Sequence, residues 1–242
     1  YRAFGNGSTD DFWQALTAQA KRQGLNLNVK EIMDTWVLQK NYPVVTVTRD
    51  VNDHKMIQVT QERFLLQDVV YPDKHDSPFN YRWTIPLTFT SSSSPNFSFP
   101  VSSKIYWLHK DEHTKTFSSV MQLSDCGASD SWILANVHQL FYYRVNYDKG
   151  NWLALSKQLK TNHSIIRPIN RAQIINDAWS LARAQYIELE TALSTLEYLH
   201  NERDYLPWVT ALKQLRYIGL MLIDFPALRE FEEASILSLV RG

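Results

Sequence analysis

"NYPVVTV", residues 41–47, is where the chain changes its structural period. Before it, apolar residues recur at helical spacing; after it they alternate or run in short β-branched blocks. Asn41 tolerates the left-handed backbone that ends a helix. Pro43 has no N–H to continue one and biases Tyr42 toward extended backbone. The joint therefore predicts a helix that stops and a strand that starts.

Upstream, "STDDFWQALTAQAKRQ" (8–23) offers Ser8 and Thr9 as caps, Asp10 and Asp11 in the first turn, and Phe12, Trp13, Leu16 and Ala20 along one face. Gly24 supplies a left-handed stop. In "NVKEIMDTWVLQKN" (28–41), Asn28 and Glu31 have the spacing of a capping box, and Ile32, Met33, Trp36 and Val37 form an apolar stripe.

Downstream, "PVVTVTR", "KMIQVTQERF", "YRWTIPLTFT", "KIYWLH", "TFSSVMQL", "SWILAN" and "FYYRVNY" read as seven short strands with no helix between them. That succession predicts an antiparallel sandwich or barrel. "TSSSSPNFSFP" (90–100) is a surface loop within this unit. After Asp148 the helical period returns in "NWLALSKQL", "PINRAQIINDAWSLARAQ", "ELETALSTLEYL", "LPWVTALKQLRYIGLMLID" and "ALREFEEASILSLV". Pro168 and Pro207 mark helix starts, and the brief turns predict a bundle or the beginning of an α-solenoid.

The 242 residues are 44% apolar, enough for a large core, and the 25 basic and 25 acidic residues cancel. No overall field draws in nucleic acid or an anionic membrane. No apolar run reaches the roughly eighteen residues of a membrane span, since "YIGLMLIDF" (217–225) is short and carries Asp224. Cys126 is the single cysteine, which excludes an internal disulfide and a cysteine-based zinc site. Asn6, Asn96 and Asn162 each open an N-x-S/T sequon, so they are glycosylation candidates and tilt the reading toward an extracellular protein. Tyr1 without an initiator Met, and an end at Gly242 close after "ILSLV", read as a segment cut from a longer chain.

"HKDEH" (109–113) fits H-x-x-E-H, an inverted zinc-protease motif whose chemistry needs two histidines one helical turn apart. Strand-like flanks on both sides predict a hairpin turn with solvated side chains instead, and no third ligand stands at a plausible spacing. Bound zinc in the isolated chain would be the mark of the metalloprotease reading. No G-x-S-x-G elbow, glycine-rich phosphate loop, dinucleotide fingerprint or EF-hand pattern occurs. Cys126, His138, His163 and His200 are assigned no chemistry. Asp177, with Arg171 and Arg183 six residues to either side, predicts an ion-pair network between helices, with a substrate contact as the alternative.

Four ordered stretches carry a resemblance: "IMDTWVLQKNYPVVTV", "YYRVNYD", "NRAQIINDAWSLA" and "YLPW", with "YRAFGNGSTDDFW" before them. Together they are similar to segments of zinc aminopeptidases of the aminopeptidase N type, across almost the whole chain. The resemblance implies an α+β fold in three parts: the helical end of a thermolysin-like catalytic domain (1–41), an antiparallel β-sandwich (42–148) and the first part of a solenoid-like helical domain (149–242). It implies a parent ectoenzyme on the extracellular side of the plasma membrane, or secreted, that uses zinc to remove N-terminal residues from peptides, with a homodimer formed through helices beyond this segment. Neither H-E-x-x-H nor G-x-M-E-N occurs here, so the resemblance assigns no catalytic residue and no metal ligand, and this segment alone is expected to be inactive. The alternative is a non-catalytic extracellular module that binds a protein partner. Where the family carries Gly before Tyr-Pro this chain has Asn41, and where it carries Gly before "YYRVNYD" it has Phe141. The second exchange predicts a local change of path at the strand entry.

Overall fold

The computed structural model describes residues 5–50, 56–66, 77–98, 105–118, 131–231 and 233. Helix α1 (Thr9–Arg22) starts where its cap predicts. The Ser8 side chain accepts the Asp11 N–H, and the Asp11 carboxylate accepts the Ser8 N–H at 2.8 Å. Gly24 closes it at φ 76°. Helix α2 (Val29–Val37) is capped by Asn28 and ends at Leu38, earlier than the expected stop; Asn41 does take left-handed backbone, at φ 66°, but as part of the bend that leads from the helix into the first strand. Trp36 Nε1 donates to Thr84 O at 3.1 Å and the Thr84 N–H to Thr35 Oγ1 at 3.2 Å, which fastens α2 to the strand region.

Among the described residues, eight short strands lie between Pro43 and Tyr147: β1 (Pro43–Arg49), β2 (Met56–Arg63), β3 (Ile85–Leu87), β4 (Phe89–Ser91), β5 (Tyr106–Leu108), β6 (Thr114–Ser118), β7 (Ile133–Ala135) and β8 (Arg144–Tyr147). One sheet runs β6-β2-β1-β8; β3 pairs with β5 and β4 with β7. Among the described residues every pairing is antiparallel except β1 with β8, where Val44 lies beside Arg144 in parallel register. The single predicted strand "YRWTIPLTFT" divides at Thr88. This residue's carbonyl and hydroxyl accept the Asn136 and Val137 N–H groups, both at 3.0 Å, so the chain changes partner there. "TFSSVMQL" is a strand through Ser118, and the rest of it lies outside the described residues, as does Cys126.

Strand β2 alternates cleanly, with Ile57, Val59 and Gln61 on its buried face. Gln61 is a polar residue in a core register, and it is fully occupied. Its amide nitrogen reaches the carbonyls of Trp83, Glu112 and His109 at 3.1–3.2 Å, while its oxygen accepts the Trp83 N–H at 2.8 Å.

Helices α3 (Lys149–Asn162), α4 (Pro168–Arg183), α5 (Leu189–Ser194) and α6 (Tyr205–Met221) follow, with Pro168 at the first position of α4 and Pro207 in the first turn of α6. Helix α5 is shorter than its pattern predicts. The Ser194 and Thr195 hydroxyls donate to the Thr191 and Ala192 carbonyls at 2.8 and 2.6 Å, competing with the helix ladder. Helical residues resume at 227–231 and at 233, and the other residues of the last predicted helix lie outside the described residues. One apolar core runs from Val45, Ile85 and Leu134 of the strands through Trp152 of α3 to Ile175 and Trp179 of α4.

Candidate functional site

The "HKDEH" segment is a turn, not a helix, and it joins strands that do not pair with each other. It is therefore a crossing between sheets and not the predicted hairpin. Glu112 accepts the His109 N–H at 2.9 Å and Lys115 Nζ at 2.9 Å, so the carboxylate closes the turn. Burial pushes this carboxyl up, but the His109 N–H and Lys115 outweigh it and hold it below its ordinary value. His109 and His113 are exposed, and no group of three or more potential metal ligands converges among the described residues.

The other isolated histidines serve the fold. His138 Nε2 lies 3.1 Å from Phe97 O, the His163 ring packs 5.5 Å from Tyr198, and His200 Nδ1 lies 2.9 Å from Glu197 O. Asn6, Asn96 and Asn162 are all exposed. At Asn96, both the N–H and the hydroxyl of Ser98 donate to Oδ1, at 3.0 and 2.7 Å.

Buried polar chemistry concentrates where α4 meets the strands. Asp177 does join an ion pair, but its partner is Arg144 of β8 at 3.0 Å, and neither Arg171 nor Arg183. Residues six apart on a helix stand roughly 120° apart around its axis, so the three side chains leave α4 in different directions. Arg183 stacks over Tyr217 of α6 at 3.8 Å, and Arg171 turns to Glu202. The second carboxylate oxygen of Asp177 accepts the Val145 N–H at 3.1 Å, a donor on the outer edge of the sheet. Helix α4 thus seals strand β8, which would otherwise present an open edge. Burial pushes the Asp177 carboxyl up to about 6, with the Arg144 charge and the Val145 N–H opposing it only in part.

Next to this pair, Asn170 of α4 accepts the His138 N–H at 2.9 Å and donates to Asn136 O at 3.2 Å. Asn136 exchanges bonds with Phe141, donating to its carbonyl at 2.9 Å and accepting its N–H at 3.1 Å. Left-handed backbone in this loop falls on Asn136, His138 and Gln139, at φ 58°, 61° and 51°, and not on Phe141. The path change expected of Phe141 is therefore absorbed upstream of it. A cleft of about 250 Å³ lined by Tyr42, Phe141, Tyr142 and Arg144 opens beside the seam.

The geometry is that of a joint: a helix fixed to a sheet edge by one ion pair and a chain of amides, with no nucleophile and base in contact. Sequence reasoning singled out Asp177 and missed Arg144, Asn136 and Asn170. Arg144 lies inside the strand-like run "YYRVNYD", where a single arginine carries no charge signal of its own.

The profile of the ERAP1-like C-terminal domain matches residues 132–241. The thyrotropin-releasing hormone-degrading ectoenzyme of Rattus norvegicus is 38% identical over 222 residues, 90% of this chain and 20% of that protein. Aminopeptidase N of Oryctolagus cuniculus is 39% identical over 223 residues, 90% of this chain and 21% of that protein. Aminopeptidase A of Gloydius brevicauda is 35% identical over 225 residues, 93% of this chain and 21% of that protein. At the level of family, the chain is a relative of the zinc aminopeptidases of the aminopeptidase N type. It spans about one fifth of the length of the curated relatives it matches.

Proposed function

We propose that the chain is the supporting part of a zinc-dependent aminopeptidase that removes N-terminal residues from peptides. Residues 1–41 end the catalytic domain, 42–148 form a β-sandwich spacer, and 149–242 begin the helical domain that closes over the active site. The zinc and the catalytic residues are supplied by other parts of the parent, which acts on the extracellular side of the plasma membrane or after secretion, and which dimerises through further helices.

The observation that carries this reading is the α4 seam. A support must hold two units together, and the reading rests on the buried bonds that the Asp177 carboxylate and the Asn136–Asn170 pair make between α4 and the strand region. The surface of α6 agrees with it. Pro207, Ala211 and Gln214 are buried, while Leu206, Val209, Leu212 and Leu220 stand exposed, an apolar face suited to cover by neighbouring helices.

Two assays test the reading. The purified 242-residue chain, supplied with zinc, is expected to leave amino-acyl amides intact; sustained zinc-dependent turnover would overturn the assignment of the chemistry elsewhere. Expressed through a secretory route, the chain is expected to carry N-glycans at Asn96 and Asn162, read as a mobility shift reversed by an N-glycosidase. No shift in either site's Asn→Gln variant relative to the unchanged chain would sink the extracellular assignment.

A further inference from the structure

Asn6–Gly7 is the one Asn-Gly dipeptide in the sequence. Both residues are exposed, and they precede the Ser8 cap of α1. Among the described residues neither makes a hydrogen bond, and a Cβ built on Gly7 would meet nothing within 4 Å. Among the described residues the Gly7 nitrogen is therefore clear of any helix ladder and stands next to a carboxamide that no partner holds.

We propose that Asn6 is a site of spontaneous succinimide chemistry, converting to aspartate and isoaspartate. Solvent base removes the Gly7 N–H proton. The nitrogen attacks Asn6 Cγ, an N–Cγ bond forms, the Cγ–Nδ2 bond breaks, and Nδ2 leaves as ammonia after taking up a proton. Water then opens the five-membered ring. Cleavage of the new N–Cγ bond gives aspartate; cleavage at the Asn6 backbone carbonyl gives isoaspartate, with one methylene added to the main chain. No electron transfer is involved, and water is the only co-reactant.

Glycine is what makes the step accessible, because without a Cβ it places no side chain beside the nitrogen that closes the ring onto Asn6 Cγ. The other asparagines lack this neighbour, and several are held. Asn136, Asn151 and Asn170 are buried and bonded through both side-chain atoms. The product carries a new negative charge just ahead of α1, a helix end that favours anions. The Ser8–Asp11 capping box lies downstream of the altered bond, so the helix persists. The reaction also destroys the Asn6-Gly7-Ser8 sequon, so a glycan and an aspartate at this position exclude each other.

The test uses the 242-residue chain made in bacteria, because enzymatic release of a glycan would itself leave aspartate. The chain is incubated in mildly alkaline buffer and digested, and peptides are followed by mass spectrometry and by isoaspartyl methyltransferase labelling. The expected result is a gain of about 1 Da confined to the Asn6 peptide, with methyl label on the same peptide. Gly7→Ala, which fits the open space, is expected to slow the gain several-fold while α1 remains intact by circular dichroism. Turnover of Asn6 no faster than that of the exposed Asn201, or equal rates in the Gly7→Ala chain, would overturn the proposal.

Discussion

Near the start of α4 Arg171 holds Glu202, and past its middle Arg144 reaches across from β8 to hold Asp177. Both carboxylates are buried, with side-chain exposures of 0% and 5%. Their acidities nevertheless move in opposite directions. Burial pushes Glu202 up, but a forked pair of bonds from Arg171 at 2.7 and 2.8 Å and the N–H groups of Asp204 and Arg203 bring it below its ordinary value. Asp177 has one guanidinium nitrogen, one backbone N–H and a long bond from Gln173 at 3.4 Å, and burial wins. The number of charge-assisted bonds, not burial alone, decides which way a buried acid shifts.

Breaking the stronger pair has the largest expected effect. Arg171 also donates to the Ile166 carbonyl at 2.6 Å and to Asp204 at 2.6 Å, so Arg171→Met leaves a buried carboxylate without its counter-charge and removes a donor from several acceptors. A loss of about 3–5 kcal/mol in urea unfolding is expected. Arg171→Lys recovers little of it, because an ammonium cannot reproduce the fork.

The weaker pair is sharpened by pH. The folded Asp177 titrates at about 6 against 3.8 for the ordinary group, so between these values the folded chain binds more protons than the unfolded one. Its contribution to stability therefore falls as pH rises from about 4 to about 6, by about 3 kcal/mol, and is level above that. Asp177→Asn removes this dependence. The difference in unfolding free energy between the two chains, followed across that window, is expected to move by this amount, and a flat difference would break the comparison. Glu202 contributes with the opposite sign and only at lower pH, where its depressed carboxyl takes up its proton.

Arg144→Met ranks below Arg171→Met, at about 2–3 kcal/mol at neutral pH, because the abandoned Asp177 can take up a proton while the abandoned Glu202 cannot do so as easily. Arg144 also packs its guanidinium 5.0 Å from the Phe64 ring, and methionine retains much of that apolar contact. Near pH 5 the cost of Arg144→Met is expected to shrink, which unfolding at the two pH values measures.

These two pairs were not equally legible in the sequence. Helix ends are local events, and Ser8, Gly24 and Asn28 announced theirs because one side chain or one backbone angle decides each, whereas Asn41 marked the bend before the first strand and not the end of α2 at Leu38. Alternation revealed β2 down to Gln61, but period two says nothing of which strand lies alongside. The parallel match of β1 with β8, about a hundred residues apart, and the exchange of partners at Thr88 therefore stayed hidden. The same holds for charge. Asp177 was visible as a carboxylate inside a helical pattern, yet its partner lies 33 positions away on a strand, where helix spacing gives no guidance. The family resemblance supplied the order of the three parts, whereas the seam between them required coordinates.

A third acid completes the comparison at its solvent-exposed limit. Asp11 accepts the Ser8 N–H at 2.8 Å and the Ser8 hydroxyl at 2.7 Å in full contact with water, and these bonds hold its carboxyl below the ordinary value with almost no burial to oppose them. Ser8→Ala deletes the hydroxyl that both donates to Asp11 and accepts its N–H, while the Ser8 N–H bond remains possible. The expected cost is the smallest of the four, about 1 kcal/mol, and it is paid as fraying of the first turn of α1. Two local readouts separate this from a general loss of stability: faster hydrogen exchange at the Asp11 amide, and a rise of the Asp11 carboxyl toward its ordinary acidity in an NMR titration. If the acidity stays depressed after the hydroxyl is gone, the backbone N–H alone sets it, and the hydroxyl bond adds nothing to the balance of bonds against burial.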